Sequence, residues 1–259
     1  MKKLSLVLVA LLAFSFVGCQ EWLNIDDPDN PEPEPEPDPV EEALIMLEET
    51  SATLHYGETY QINAECENPI TYSSEDEYYA SVSEDGLVTA NFVGATTINL
   101  ESEFDAQTFE VTIAPVSELY PEPEIEIGES KESIIERFGE PIAEADGAIG
   151  YQDYSDNTTM LMVLFDENDL VEDYALILEV EFEEELETFL SERYLFVQET
   201  EGMKIYVNAL NPVEASLIIG SQIYADEEET FLMVVYGGNT IEPEEKSINM
   251  KAILKALRK

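Results

Sequence analysis

The sequence predicts a multidomain, mostly β protein in which a β-sandwich is followed by an α+β domain with an antiparallel sheet and two helices. Three observations support this fold class. Short runs of alternating β-branched and aromatic residues, separated by turn residues, fill positions 42–115. Two units, each a helix followed by strands, then occupy positions 128–240. Proline-rich stretches at 26–39 and 120–124 interrupt these patterns and mark boundaries.

The first eighteen residues have the features of an export signal. Two lysines precede an apolar run over positions 4–17, which is shorter than the about 20 apolar residues that a membrane-spanning helix needs. The run ends in Phe16-Val17-Gly18-Cys19, which resembles the lipobox of bacterial lipoproteins. The resemblance implies a signal peptide at 1–18 and a lipid on Cys19 that anchors the protein in the cell envelope, at the outer membrane and on its surface. An ordinary secretory signal with an incidental cysteine is the alternative.

Residues 19–40 are predicted to form an extended acidic spacer after the anchor. Six prolines between positions 28 and 39 alternate with acidic and amide residues, which excludes helix and sheet and favours polyproline II. At about 3.1 Å per residue, such a stretch can hold a domain about 60 Å from the membrane. If Cys19 carries lipid, Cys66 is predicted to be a small core residue; a disulfide between the two is the alternative.

The charge of the chain limits its partners. It has 58 acidic and 11 basic residues and a formal net charge of -47. Nucleic acids require clustered Lys or Arg to displace counterions, so no nucleic-acid partner is expected. The acidic run from Asp166 to Asp169 has Val171 where a calcium-binding EF-hand loop needs Gly, so a turn is predicted there, and no metal site.

The segment 41–116 is predicted to be the β-sandwich. Its apparent strands are 43–47, 59–64, 70–73, 87–90, 96–100 and 108–113. The runs Ser51-Ala52-Thr53-Leu54, Tyr72-Ser73-Ser74 and Gly86-Leu87-Val88-Thr89-Ala90, with Gly94 and Ile98, resemble the bacterial Ig-like domain, group 2. That resemblance implies a stalk or adhesion module that performs no chemistry. His55, the only histidine, is predicted to have a packing or solvent-facing role at a strand end.

A linker is predicted at 117–127, and an α+β domain at 128–240. Ser130 can cap a first helix that ends before Gly139, and a second apolar stripe predicts a helix from about 183 to 193. The predicted strands are 148–154, 159–165, 171–179, 194–198, 204–207, 215–225 and 231–236. This order favours an antiparallel sheet with both helices on one face, the other face being open to solvent or a partner.

The first helix and its turn, residues 130–141, are similar to the opening of the SmpA/OmlA and β-lactamase-inhibitor-protein type of lipoprotein domain. The resemblance covers a dozen residues and implies a sheet surface that binds a protein. It makes four strand tyrosines candidates for ligand contact, with half-buried strand tyrosines as the alternative. These candidates are Tyr151, Tyr154, Tyr174 and Tyr206.

The tail, residues 241–259, is predicted to be a basic amphipathic helix. Met250, Ile253, Leu254 and Leu257 share one helical face, and five basic residues surround it. A helix this short needs a surface on which to dock. The acidic body of the protein and a membrane are both candidates, and the body is favoured because that attraction is intramolecular.

No catalytic machinery is apparent in the sequence. It contains no nucleophile elbow, zinc-protease motif or P-loop, so no catalysis and no cofactor are expected. The pattern favours an envelope lipoprotein whose Ig-like module is a stalk and whose distal domain recognises a protein or a glycan. An assembly or inhibitor module that binds another envelope protein is the main alternative, and an uncharted hydrolase is a third.

Overall fold

The computed structural model describes residues 44–145, 147–225 and 230–238. The predicted signal peptide, Cys19, the spacer at 19–40 and the tail at 241–259 lie outside these described residues. Within the described ranges, no helix is both long enough and apolar enough to cross a membrane.

The first half of the described chain is a β-sandwich. Its strands are β1 Met46–Leu47, β2 Ser51–Leu54, β3 Thr59–Gln61, β4 Ala64–Glu65, β5 Thr71–Ser74, β6 Ala80–Val82, β7 Leu87–Ala90, β8 Gly94–Glu101 and β9 Ala106–Ile113. A sheet of order β2-β9-β8-β5 faces a sheet of order β3-β7-β6, and β1 pairs with β4 beside them. The pairing of β2 with β9 is parallel and the other pairs are antiparallel.

The alternation of apolar residues along these strands builds the sandwich core. Ile98 and Leu100 of β8 and Phe109 of β9 point inward, where they meet Val88 from the opposite sheet. Successive side chains of a strand point to opposite faces, so the residues between them face solvent. One turn requires glycine: Gly86 has φ +80°, and a Cβ atom built there would lie 2.9 Å from Cζ of Tyr72.

The second half of the described chain is a single eight-stranded antiparallel sheet with two helices. The elements are α1 Lys131–Phe138, β10 Ala143–Ala145, β11 Ala148–Ser155, β12 Thr158–Phe165, β13 Val171–Leu178, α2 Glu183–Ser191, β14 Leu195–Thr200, β15 Met203–Val207, β16 Leu217–Ala225 and β17 Thr230–Gly238. The strand order is β10-β11-β12-β13-β17-β16-β15-β14. The first helix-and-strands unit supplies β10 to β13, the second supplies β14 to β17, and β17 joins them by pairing with β13. The mostly β fold class predicted from the sequence is confirmed.

Both helices cover the same face of this sheet. The Ser130 hydroxyl accepts the N–H of Ser133 at 3.3 Å and caps α1, which ends where Gly139 takes φ 85°. Helix α2 begins with three glutamates, which suit the positive end of the helix dipole. Ile134 of α1 and Phe189 of α2 are buried in the core on this face.

The opposite face of the sheet is also apolar. We call its hydrophobic residues the second-face cluster: Met160, Met162, Leu164, Ala175, Ile177, Tyr224, Phe231, Met233 and Val235. Its six buried members are 0 to 8 % exposed. The sequence predicted a face open to solvent or a partner, but the central strands β12, β13 and β17 carry apolar residues on both faces, as strands covered on both sides do.

The predicted linker at 117–127 is packed against the sheet. Leu119, Tyr120 and Ile125 from this stretch are buried in the core beneath the helices. Its prolines prevent regular structure, but its apolar side chains still anchor it. The connection between the sandwich and the sheet is therefore held in place.

Candidate functional site

The sandwich and the sheet meet at Glu192, directly after α2. The Glu192 residue is 2 % exposed. Its carboxylate accepts the backbone N–H of Val116 at 2.8 Å and of Ser117 at 3.0 Å. Arg193 Nη1 donates to the same carboxylate at 2.6 Å. Three donors thus stabilise one buried negative charge, which would otherwise be costly to bury.

The guanidinium of Arg193 completes this arrangement. It stacks 3.7 Å from the centroid of the Phe189 ring, and it donates to the carbonyls of Phe189 and Ser117 at 3.1 Å each. A cation at the C-terminal end of α2 also suits the helix dipole. The arginine therefore ties the end of α2 to the segment that leaves the sandwich.

The sandwich also contacts the backbone carbonyls of Glu192 and Arg193. The Tyr78 hydroxyl donates to the Arg193 carbonyl at 2.6 Å, and the Val93 N–H donates to the Glu192 carbonyl at 2.7 Å. The Tyr78 ring stacks on Phe92 with centroids 4.6 Å apart. Burial is the main cause that raises the pKa of Tyr78. We call this set of contacts the Glu192 junction.

An open cleft of about 530 Å³ lies beside the Glu192 junction. Both halves of the protein line it: Asp76, Glu77, Tyr78, Tyr79 and Val93 come from the sandwich, and Glu122, Arg193, Tyr194, Asn208, Ala209, Leu210 and Glu214 from the distal part. Its one cation, Arg193, is bound to Glu192, and its Nε lies 3.8 Å from the Glu122 carboxylate. Four carboxylates against this one shared cation leave the lining negative. Tyrosines beside carboxylates suit a ligand that carries positive charge and apolar surface.

One wall of the cleft is a loop held by its own side chains. The Asn208 side-chain oxygen accepts the N–H groups of Ser216 and Leu217 at 3.0 and 2.9 Å. Asn211 accepts the N–H of Val213 and caps a short 3-10 turn over Pro212–Glu214. These bonds fix a loop that presents Leu210, 47 % exposed, at the cleft. A preformed wall lowers the entropy cost of binding.

The four tyrosines predicted from the sequence do not form one exposed patch. Tyr151, Tyr174 and Tyr206 are buried and Tyr154 is half-buried, all within or against the core on the helix-covered face. The hydroxyls of Tyr151 and Tyr154 donate to the carbonyls of Gly139 and Pro121 at 3.1 and 3.0 Å. Ligand contact by these tyrosines stays a prediction. Their orientation away from the second face gives each of them a packing role in the structure.

Tyr174 belongs to a group of four tyrosines, three of them buried, that reaches the cleft through the half-buried Tyr194. Its ring stacks on Tyr236 with centroids 4.7 Å apart, the hydroxyls of Tyr236 and Tyr120 are 2.8 Å apart, and Tyr194 donates to Glu122. Burial is the main cause that raises the pKa of all four tyrosines, and the nearby Glu122 charge raises it further.

Stability should therefore fall in alkaline solution. Unfolded tyrosines ionise near pH 10.0, whereas these four have higher folded-state pKa values. Their contribution is fully present below about pH 10 and is lost as the pH rises towards the folded-state values. Urea titrations at increasing pH measure this fall in the free energy of unfolding, and tyrosinate absorbance is a second probe. A Tyr236→Phe variant should lose less stability than the unmodified protein above about pH 10. Ionisation of all 13 tyrosines near pH 10.0 without unfolding would contradict the prediction.

Other polar candidates have structural partners. Among the described residues, no group of three or more His, Cys, Asp or Glu side chains is placed to bind a metal ion. The Asp166 carboxylate accepts the N–H groups of Asn168 and Leu170 at 2.8 and 2.9 Å, which lowers its pKa and forms the β12–β13 turn. His55 Nδ1 lies 3.0 Å from the Ala114 carbonyl oxygen, at the end of β2.

Sequence reasoning missed the cleft because five separate segments line it, around residues 76–79, 93, 122, 193–194 and 208–214. No local motif connects them. One signal was present: only four basic residues occur between positions 20 and 243, and Arg193 is one of them. A rare cation at a predicted helix end marks a place where negative charge must be balanced.

Comparison with known proteins identifies one part of the chain. Residues 42–111 match the bacterial Ig-like domain (group 2), so the sandwich is a domain of this type. No curated protein matches the chain. Domains 5–6 of the S-layer protein SbsC are 13 % identical over 75 % of this chain and 83 % of that one, with a TM-score of 0.25. Domains 4–9 of SbsC are 12 % identical over 76 % of this chain and 27 % of that one, with a TM-score of 0.23.

Proposed function

We propose that the protein is a non-catalytic, lipid-anchored component of the bacterial cell envelope that binds another macromolecule in the cleft beside the Glu192 junction. The Cys19 motif and the acidic proline-rich spacer support a lipid-anchored location in the cell envelope. The bacterial Ig-like domain at 42–111 supports a stalk role for the sandwich. The lining of the cleft, made of carboxylates, phenols and one ion-paired guanidinium, suits binding rather than bond breaking.

The observation that carries this proposal is the shared construction of the cleft. Both the sandwich and the connecting segments of the distal part contribute side chains to it, and the Glu192 junction joins the two parts beside it. A ligand that fits this cleft contacts both parts without first ordering them, which reduces the entropy cost of association. The stalk is then part of the binding surface and also its support.

The charge of the lining selects the class of ligand. Asp76, Glu77, Glu122 and Glu214 surround three tyrosines, and an electrostatic field of this sign attracts cationic groups and repels anionic ones. We therefore infer that the ligand is a basic segment of a protein. An envelope protein with such a segment would make the distal domain an assembly module, the alternative reading of the sequence. That reading gains support from the cleft and none from the buried tyrosines.

Substituting Leu210 with arginine tests this function. Leu210 is 47 % exposed at the cleft, and Ile223, 40 % exposed on β16, does not line it. In fluorescence-anisotropy titrations with basic, neutral and acidic decapeptides, we expect preferential binding of the basic set. Leu210→Arg should weaken that binding by about tenfold, equivalent to about 1.4 kcal/mol, because it adds a like charge beside the ligand.

Ile223→Arg is the matched control, since it adds the same charge at a similarly exposed site, and it should bind as the unmodified protein does. Binding should also weaken as ionic strength rises. Equal binding by both variants would refute the cleft as the site. Preference for acidic peptides or for soluble glycans would refute the ligand class.

A further inference from the structure

The second-face cluster is an apolar surface that contributes no residue to the cleft beside the Glu192 junction. Its residues lie on β12, β13, β16 and β17, on the side of the sheet away from α1 and α2. Among the described residues, every hydrophobic side chain of the cluster belongs to the sheet itself. A sheet face with three methionines, an isoleucine and two aromatic rings needs an apolar covering element to keep it from water.

The chain leaves the described structure beside this surface. Strand β17 runs through the middle of the cluster and ends at Gly238, and 21 residues follow it. Gly237 pairs with Asp173. Asp173 lies two residues before Ala175 and four before Ile177 on β13, so all three are on the same face of the sheet. The segment that follows β17 thus starts at the edge of the second face.

The dimensions of the tail fit this surface. A helix over 246–259 would be about 21 Å long and about 10 Å wide, while neighbouring strands are about 4.8 Å apart. One such helix covers two to three strands. The seven residues at 239–245 can extend about 23 Å, which is enough to reverse the chain direction and lay the helix along β17.

The chemistry of the tail also fits. Met250, Ile253, Leu254 and Leu257 follow the i, i+3, i+4, i+7 spacing of one helical face, and flexible methionines on the sheet adapt to such a ridge. The tail from 246 has five basic residues and no acidic one, whereas the whole chain has 58 acidic residues. Charge attraction within one chain adds to the apolar contact at a high effective concentration.

We propose that residues 246–259 fold back as an amphipathic helix and cover the second-face cluster, with Met250, Ile253, Leu254 and Leu257 against β12, β13 and β17. The basic side chains of the helix then face outward and form a cationic strip on an otherwise acidic protein. This inference does not depend on the ligand of the cleft, since the two sites use different residues.

Photo-crosslinking in the full chain tests the docking directly. A benzophenone amino acid at position 254 should link, on irradiation, to peptides that contain 160–164, 175–177 or 231–235 of the same chain, identified by mass spectrometry. The same group at position 252, which lies about 160° around the helix from 254, should lose most of this product. Mixing isotopically light and heavy chains distinguishes links within a chain from links between two copies.

Matched charge insertions give a second readout. Leu254→Asp should lower the melting temperature by about 5 °C and increase the fluorescence of a dye that binds exposed apolar surface. Ala252→Asp places the same charge on the opposite helical face and should leave both measurements near those of the unmodified chain. The proposal is overturned by links from position 254 to a second copy, to the apolar leader, to the helix-covered face or to lipid. It is equally overturned by the absence of any link, or by equal effects of the two substitutions.

Discussion

Replacing Glu192 with alanine should lower the free energy of unfolding by about 3 to 5 kcal/mol, the cost of removing one partner of a buried ion pair. The variant leaves the Arg193 guanidinium, whose side chain is 11 % exposed, without its closest carboxylate. It also leaves the N–H groups of Val116 and Ser117 without their acceptor. Urea unfolding followed by circular dichroism measures the change.

The same substitution should weaken the coupling between the sandwich and the sheet. If the Glu192 junction makes them unfold together, its loss should separate one calorimetric transition into two. Glu184→Ala, an exposed glutamate at the start of the same helix, is the matched control and should cost less than about 1 kcal/mol. A loss in Glu192→Ala no larger than in this control would show that the junction does not hold the two parts together.

The sequence was most informative where local physics decides the structure. Ser130 marked the start of α1 and Gly139 its end, because a hydroxyl cap and a left-handed residue satisfy helix termini independently of the rest of the fold. Alternation located most strands of the sandwich and of the sheet. It missed β2, β6 and β10. These strands are only three or four residues long, which is too short to show a clear alternation.

The face of the sheet that the helices cover was not predictable from alternation. A period of two separates Tyr174 and Leu176 from Ala175 and Ile177, but it does not state which set meets a helix. Both sets are apolar, so the sequence pattern fits either orientation. The resemblance of residues 130–141 to a protein-binding lipoprotein domain made the tyrosines candidates for a contact surface, whereas the structure packs them under α1 and α2.

The composition of the chain gives no indication of the Glu192 junction. Glu192 is one of 58 acidic residues, and residue type alone does not distinguish a buried carboxylate from an exposed one. Its burial depends on donors from Val116, Ser117 and Arg193, of which the first two lie more than 70 positions away in the chain. Contacts of this range arise only when the two domains pack.

Replacing Cys19 with serine should abolish incorporation of labelled palmitate and move the protein from the membrane fraction to the soluble fraction. The proposed anchor requires the cysteine thiol as the lipid attachment point, and a serine hydroxyl does not replace it. Each buried CH₂ group of an acyl chain contributes about 0.8 kcal/mol, and one chain alone binds only marginally. Several chains on Cys19 therefore make the difference between the two proteins close to complete.

Cys66→Ser is the matched control, because Cys66 is the only other cysteine in the chain and packs against the sandwich core. It should retain the label and the membrane fraction, with a loss of about 1 kcal/mol or less in stability. Palmitate on the Cys19→Ser protein would place the lipid on another residue, and an unmodified Met1 on natural material would contradict both the predicted export signal and the anchor. Neither outcome changes the cleft, so its binding and the Leu210→Arg effect should persist in the purified protein.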